Sequence, residues 1–320
     1  CLVGSEMCIR DRSLTRGLGK IKLYSFASFL SGLLHICFNI LFIVFLRLKV
    51  EGLLLGNIIS NLLVSLGVLI SVKIYRYISF KDYDSELMRE MLHYTFPLVP
   101  NSVSWTIINF SDRMVLTSFL GTAANGIYSV ANKFPTLIDT IYGFFYTSWK
   151  ESASKAIRES NSQEFYSFIY MALNKFLMSI TIGLIAVLPF IFNIFISESY
   201  NEAYQYIPFL ILSMFFANMS GFYGGIFSAY KNTKIMGITT IISSIINFGI
   251  CIILVKPLGI YAGVLSTLIS NFIVYIYRRI KIKEYIKLPK DTGFFIVSMI
   301  VYSIISVSYT HLTLPTILRV

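Results

Sequence analysis

FPLVPNSVSWTIINFSDRMVLTSFLGTAANGIYSVANKFPTLIDTIYGFFYTSWK, residues 96–150, decides what kind of molecule this is. It holds two apolar stretches of bilayer length, 96–119 and 126–149, joined by the short link GTAAN at 121–125. A helix needs about 20 apolar residues to cross a hydrocarbon core. Both stretches nevertheless carry ionisable groups: Asp112 and Arg113 in the first, Lys133 and Asp139 in the second. On a helical wheel at about 100° per residue, Asn125, Ser129, Asn132, Lys133, Thr136, Asp139, Thr140, Gly143 and Thr147 share about a third of the circumference. Ile127, Val130, Phe134, Leu137, Ile141 and Phe144 fill much of the rest. A lipid-facing helix gains nothing from such an arc, so it must face another polar helix or water. Asn101, Ser102, Trp105, Thr106, Asn109, Asp112, Arg113 and Thr117 repeat the pattern on the preceding stretch, interrupted by Leu116. The two faces can line one aqueous cavity.

The remainder of the chain agrees with a membrane setting. Hydrophobic residues make up 56% and charged residues 13%, about half the charged share of a soluble domain. The apolar residues run unbroken and do not alternate, which excludes a β-barrel. The expected fold class is therefore all-α, a polytopic integral membrane protein. Nine segments approach or reach spanning length: 24–46, 52–72, 96–119, 126–149, 173–196, 206–228, 235–255, 259–277 and 292–306. Short links such as SESYNEAY (197–204) and YKNTK (230–234) favour antiparallel neighbours.

Charge then sets the orientation. With the N-terminal end inside, the inside loops at 16–22, 73–89, 150–158, 231–234 and 278–290 hold 18 Lys and Arg, against three outside, Arg47, Lys49 and Lys256. This is the positive-inside bias. The net charge of +11 thus reports topology and contact with anionic lipid, not nucleic acid. Cys37 and Cys251 lie in apolar runs and read as buried thiols; His35 and His93 have no partners at metal-ligand spacing. No cofactor and no metal is expected.

Ionisable groups inside spans are expensive and point to function. Arg113 can bind an anion in the cavity, snorkel to the interface, or neutralise Asp112 or Asp139. Asp139 reads equally as a proton or Na⁺ site and as the counter-ion of Lys133. Lys175, at the start of its span, reads as a snorkelling side chain. Pro135, inside the polar helix, removes one backbone hydrogen bond and can act as a hinge or as static shape. Gly221, Gly224 and Gly225 favour close helix packing over phosphate binding, since no strand-to-helix turn is present.

The two ends read differently. MCIRD (Met7–Asp11) encoded as ATG TGT ATA AGA GAC has the reverse complement GTC TCT TAT ACA CAT, which translates as VSYTH, the sequence at Val307–His311. LVGSEMCIRDR and VSYTHLTLPT resemble translations of a sequencing-library adapter. Residues 1–12 and 306–320 are therefore expected to be adapter-derived, and Cys1, Cys8 and His311 carry no functional weight.

On PLVPNSVSWTIINFSDRMVLTSFLGTAANGIYSVANKFPTLI (97–138), and above all on SDR (111–113), LGTAANGIYSVANK (120–133) and Pro135, the chain resembles the polysaccharide transporters of the MOP superfamily. These bacterial flippases move undecaprenyl-pyrophosphate-linked oligosaccharides across the cytoplasmic membrane. Residues 16–45 are similar to the family's fifth helix and 230–270 to its eleventh and twelfth. The resemblance implies two lobes of six helices around a cationic cavity. Residues 13–95 would be the last two helices of the first lobe plus a cytoplasmic loop, 96–290 the second lobe of six transmembrane helices, and 291–305 a truncated thirteenth. Arg113 and Lys133 would bind pyrophosphate and acidic sugars, with Asn109, Asn132 and Thr136 lining the cavity. Asp112 and Asp139 would serve ion coupling or act as counter-ions. Implied partners are the lipid-linked oligosaccharide, membrane lipids, H⁺ or Na⁺, and glycosyltransferase or polymerase machinery.

Other readings remain. A lipid II flippase or a MATE-type cation-coupled drug antiporter belongs to the same superfamily; a drug antiporter relies on acidic cavity residues, and here basic ones match them. A membrane-bound polymerase or acyltransferase would need a catalytic group on a long loop, which is absent, so an enzyme is not expected. A scaffold has no use for a wet arc.

Overall fold

The computed structural model describes residues 15, 17–73, 84–157, 159, 161–289 and 292–317. The expectations on residues 1–12, and on Arg16, Arg76, Lys81, Arg158 and Lys290 as inside charges, fall outside these. Every regular element among the described residues is helical, as the composition requires. The helices are α1 (Ile21–Ile40), α2 (Lys49–Val72), α3 (Ser85–Thr95), α4 (Leu98–Leu120), α5 (Thr122–Ala131), α6 (Lys133–Ala156), α7 (Ser162–Phe195), α8 (Ile207–Ala229), α9 (Thr233–Leu258), α10 (Tyr261–Lys281) and α11 (Thr292–Ile317). Each of the nine expected spans overlaps one of them except the fourth, which is divided between α5 and α6; the first runs on from α1 through a π-helical turn, Leu41–Phe45, and the fifth begins eleven residues inside α7. The proposed loop at 197–204 is instead a 3₁₀ turn, Glu198–Tyr206, leading into α8.

Five stretches are long and apolar enough on their own to cross a membrane: Lys22–Phe45, Lys49–Val72, Ser162–Phe192, Glu198–Ala229 and Thr233–Leu258. Gly293–Val307 is apolar but shorter. The helices that do not reach this measure include α4, α6 and α10, and these carry the polar faces described below. Large apolar side chains such as Phe26, Phe29, Ile70, Phe144, Phe190, Ile245 and Ile253 stand exposed on the outer surfaces, as they do where the solvent is lipid.

The chain divides into two compact units, Cys1–Ser85 and Glu86–Val320. In the first, α1 and α2 form a hairpin around Ala27, Val64, Val68 and Val72. Gly56 lets the helices meet: a Cβ there would lie 2.6 Å from Asn39 Oδ1. Cys37 on α1 is exposed, contrary to the sequence expectation, because its apolar run faces outward; Cys251 on α9 is buried.

In the second unit α8 is the central helix and is buried along most of its length, from Ile207 to Phe227. Its glycines admit aromatic side chains from α6. Trp149 donates from Nε1 to the Phe222 carbonyl at 3.0 Å and stacks on the Phe222 ring at 4.5 Å between centroids. Helix α3, which the sequence reading placed within a loop, is amphipathic: Leu87, Met88, Met91 and Leu92 are exposed on one side, with Glu86, Arg89, Glu90 and His93 at the opposite angles. Its end is fastened to α9, where Thr233 Oγ1 donates to the Tyr94 carbonyl at 2.9 Å. A Cβ at Gly237 would lie 2.6 Å from the Pro97 carbonyl oxygen, so α9 needs glycine there.

Candidate functional site

The polar stripe of the second unit begins with an interruption. Pro135 has no N–H to offer Ala131, so the fourth span does not run as one rod; it turns at Asn132. The expectation of a continuous helix from 125 to 147 is thereby corrected. Asn132 N–H still bonds the Tyr128 carbonyl at 3.0 Å, and helix resumes with Thr136 N–H on the Asn132 carbonyl at 3.3 Å. Along α6 the hydroxyls of Thr136, Thr140 and Thr147 donate back to carbonyls four residues earlier, at 2.7–2.8 Å. Such back-bonding satisfies hydroxyls inside a membrane helix and favours bending.

Helices α4, α5, α6, α8, α9 and α10 enclose a cavity of about 760 Å³ within the second unit. Of the residues singled out by sequence, Asp112, Arg113, Asn132, Thr136 and Asp139 line it. Lys133 does not: it is exposed at the start of α6, outside the lining. Asn109 is on α4, with its side chain outside the described part of the structure. Among the described residues no ion pair joins Arg113 to Asp112 or Lys133 to Asp139; both Arg113 and Asp139 are exposed toward the cavity.

Asp112 sits at one end of this space and is 2% exposed. It accepts from Tyr128 Oη at 3.1 Å, from Ser266 Oγ at 3.2 Å and from Thr267 Oγ1. Asn247 joins them, donating to Ser266 and Thr267 at 3.3 Å and accepting from Ser111 Oγ at 3.0 Å. Gly263 brings α10 close; a Cβ there would lie 3.2 Å from Leu116 Cδ1. The result is a buried carboxyl group of α4 held by neutral hydroxyl and amide groups from three other helices, all of which can also accept. Such a set can hold a proton on the carboxyl or an oxygen-preferring cation beside it.

The other end of the cavity holds Arg278, also 2% exposed. The sequence reading counted it among inside-loop charges, yet Nε and Nη2 donate to Thr239 Oγ1 at 3.0 and 2.9 Å, and Nη2 to Thr240 Oγ1 at 2.9 Å. Nη1 reaches the Ser220 carbonyl at 3.2 Å. The signal was present in the spacing: Thr267, Asn271 and Arg278 lie on one face of α10, so Arg278 continues the cavity stripe. Tyr128 on α5, Asn247 on α9 and Ser266 and Thr267 on α10 were not among the expected residues; for the last three the signal is small polar residues within otherwise apolar helices. Among the described residues no three His, Cys, Asp or Glu side chains come together.

Residues 8–150 match the model of a family described as polysaccharide biosynthesis protein. The fold is similar to that of an outward-facing multidrug-resistance MATE family transporter of the MOP superfamily, with a TM-score of 0.67 and 18% identity over 88% of this chain and 68% of that one. Over residues 8–150 the chain is thus similar to that polysaccharide biosynthesis family, and over most of its length its fold is similar to that of this transporter. A Vibrio cholerae MATE transporter, solved as a mutant, is similar at a TM-score of 0.73 and 14% identity, over 87% of this chain and 65% of its own. A MOP superfamily transporter from Pyrococcus furiosus gives 0.65 and 18%, over 85% and 65%. The chain spans under two thirds of the length of the Vibrio and Pyrococcus proteins. No curated protein sequence matches it.

Proposed function

We propose that the protein takes part in moving undecaprenyl-pyrophosphate-linked oligosaccharides across the bacterial cytoplasmic membrane by alternating access, in the biosynthesis of capsule, O-antigen or another surface polysaccharide. The observation that carries this reading is a membrane cavity lined by two arginines, Arg113 and Arg278, in a chain whose first half matches a polysaccharide biosynthesis family. Guanidinium groups suit phosphate and carboxylate recognition at low dielectric. In this reading Arg113 meets the pyrophosphate or an acidic sugar, Asn132 and Thr136 contact the sugar chain, and Asp112 is the coupling residue for H⁺ or Na⁺. Lys133 would act at the cavity's outer margin. Glycosyltransferases and a polymerase would supply and consume the substrate.

The test is reconstitution of the chain in proteoliposomes loaded with a lipid-pyrophosphate oligosaccharide, reading its passage to the far leaflet. Passage that falls at least tenfold in Arg113→Gln supports the reading; no passage under any ion gradient overturns it for this chain. A second reading has its own observation, since Asp112 and Asp139 also line the cavity: a MATE-type antiporter would bind cationic dyes there. The Pyrococcus furiosus transporter is described as having a pocket of reverse polarity that suggests a different function. Dye binding that depends on Asp139 and is unaffected by pyrophosphate would favour the antiporter.

A further inference from the structure

We propose that the end of the cavity bounded by Tyr142, Asn218 and Arg278 is a binding subsite for a compact oxyanion of the phosphate type. The choice of phosphate rests on the transport reading above; the anion subsite itself rests on geometry.

Arg278 lies eleven residues beyond Thr267 on α10, about 16 Å along the axis from the Asp112 cluster. Every oxygen within its hydrogen-bonding reach is neutral: Thr239 Oγ1, Thr240 Oγ1, Ser220 Oγ, and the carbonyls of Ser220 and Met236. These acceptors satisfy its N–H groups without cancelling its charge, and among the described residues no carboxylate pairs with it. A buried cation in that condition is a strong electrostatic demand for an anion.

Two further groups at the same end lack partners. Asn218 is 3% and Tyr142 6% exposed, both line the cavity, and neither Asn218 Nδ2 nor Tyr142 Oη has a hydrogen-bond partner. The glycines of α8 place them in a row. A Cβ at Gly221 would lie 2.7 Å from Tyr142 Oη, and one at Gly224 would lie 3.5 Å from Arg278 Nη1. Asn218, Gly221 and Gly224 follow one another at three-residue steps, so the two orphan donors and the guanidinium occupy about 9 Å of one helix face. Two unsatisfied donors beside an uncompensated cation recognise an oxyanion, from a lipid headgroup or from solution.

The test uses the full chain in phosphatidylcholine nanodiscs, titrated with sodium phosphate and sodium pyrophosphate, and in parallel discs doped with undecaprenyl phosphate. Tyr142→Phe and Asn218→Leu should each weaken binding by about tenfold, the scale of a hydrogen bond to a charged group. Arg278→Gln should abolish it and Arg278→Lys should restore part, whereas a residue that only ties α8 to α9 and α10 would lose its role equally in both. If Arg278→Gln does not fold, the two neutral variants carry the test. Lys234→Gln, on an exposed site, should bind as the parent does. Residue dependence confined to the doped discs assigns a lipid headgroup; dependence with soluble pyrophosphate assigns a free anion; both support the subsite. Folded protein that binds none of the probes, or binds them unchanged in Tyr142→Phe and Asn218→Leu, overturns it. Transport that survives such a result leaves the functional reading intact, while residue-dependent binding in a chain that moves no lipid-linked sugar sinks transport alone.

Discussion

Tyr128 Oη donates a 3.1 Å hydrogen bond to Asp112 from a helix, α5, that ends one turn later at Asn132. The pair ties the short helix to α4 on the outer side of the break that Pro135 imposes. The break and the buried carboxyl are thus neighbours: the phenol that reaches Asp112 lies four residues before Asn132. Tyr128→Phe should therefore lower stability in detergent by about 1–3 kcal/mol, the worth of a buried hydrogen bond to a charged or strongly polar partner. Thermal unfolding of the purified protein measures this; an unchanged midpoint would mean the phenol is dispensable.

Asp112→Asn keeps the shape and replaces one acceptor by a donor. Ser266, Thr267 and Tyr128 can reorient their hydroxyls to accept, so the protein should fold with a midpoint near the parent's. The proposed coupling role should vanish: transport in proteoliposomes should lose its dependence on the H⁺ or Na⁺ gradient. A variant that keeps the gradient dependence removes Asp112 from coupling.

Gly225 sits where Trp149 packs on α8. A Cβ there would approach Trp149 Nε1 to 2.4 Å, and the indole is fixed by its bond to Phe222 and its stacking. Gly225→Ala should destabilise by about 1–3 kcal/mol through overpacking, more than Gly249→Ala, which meets nothing within 4 Å. Parallel melting curves of the two variants decide it.

The Glu90–Lys231 ion pair fastens α3 to the α8–α9 link. The Lys231 ammonium holds the Glu90 carboxyl below its ordinary 4.5 through a hydrogen bond and its charge. A carboxyl depressed in the folded state contributes stability above its unfolded pKa and loses it as pH falls through the folded one. The midpoint difference between parent and Glu90→Gln should thus be present at pH 7, shrink below 4.5, and be reduced by salt, since both side chains are exposed. A difference independent of pH would exclude the ion pair as its cause.

What the sequence made legible follows from the solvent. A bilayer demands long apolar runs, so the places of most of the long helices were readable from Phe, Ile, Leu and Val alone, the divided fourth stretch excepted. The site was readable only in part. Asp112 and Arg113 look like a neutralising pair in a string of letters, but neighbours in a helix point about 100° apart, and one turns into hydroxyls while the other faces the cavity. Arg278 looks like one more anchor in RRIKIK, and only the face it shares with Thr267 and Asn271 distinguishes it from Arg279. The break at Asn132 was hidden because Pro135 is compatible with the first turn of a helix as well as with a kink inside one.

That break leads to the sharpest check on the cavity. With native cysteines replaced, Thr136→Cys and Asp139→Cys on α6 should react with a charged, membrane-impermeant thiol reagent, because both positions line the cavity. Leu137→Cys and Phe144→Cys, exposed on the same helix but absent from the lining, should react at least tenfold more slowly, since thiolates form poorly where the surroundings are apolar. Lys133→Cys should react irrespective of cavity ligands, while excess pyrophosphate should protect Asp139→Cys if an anion settles near Tyr142, one turn further along α6. Equal labelling of Asp139→Cys and Phe144→Cys would mean that α6 has no wet side, and the cavity would then have no path for a polar cargo.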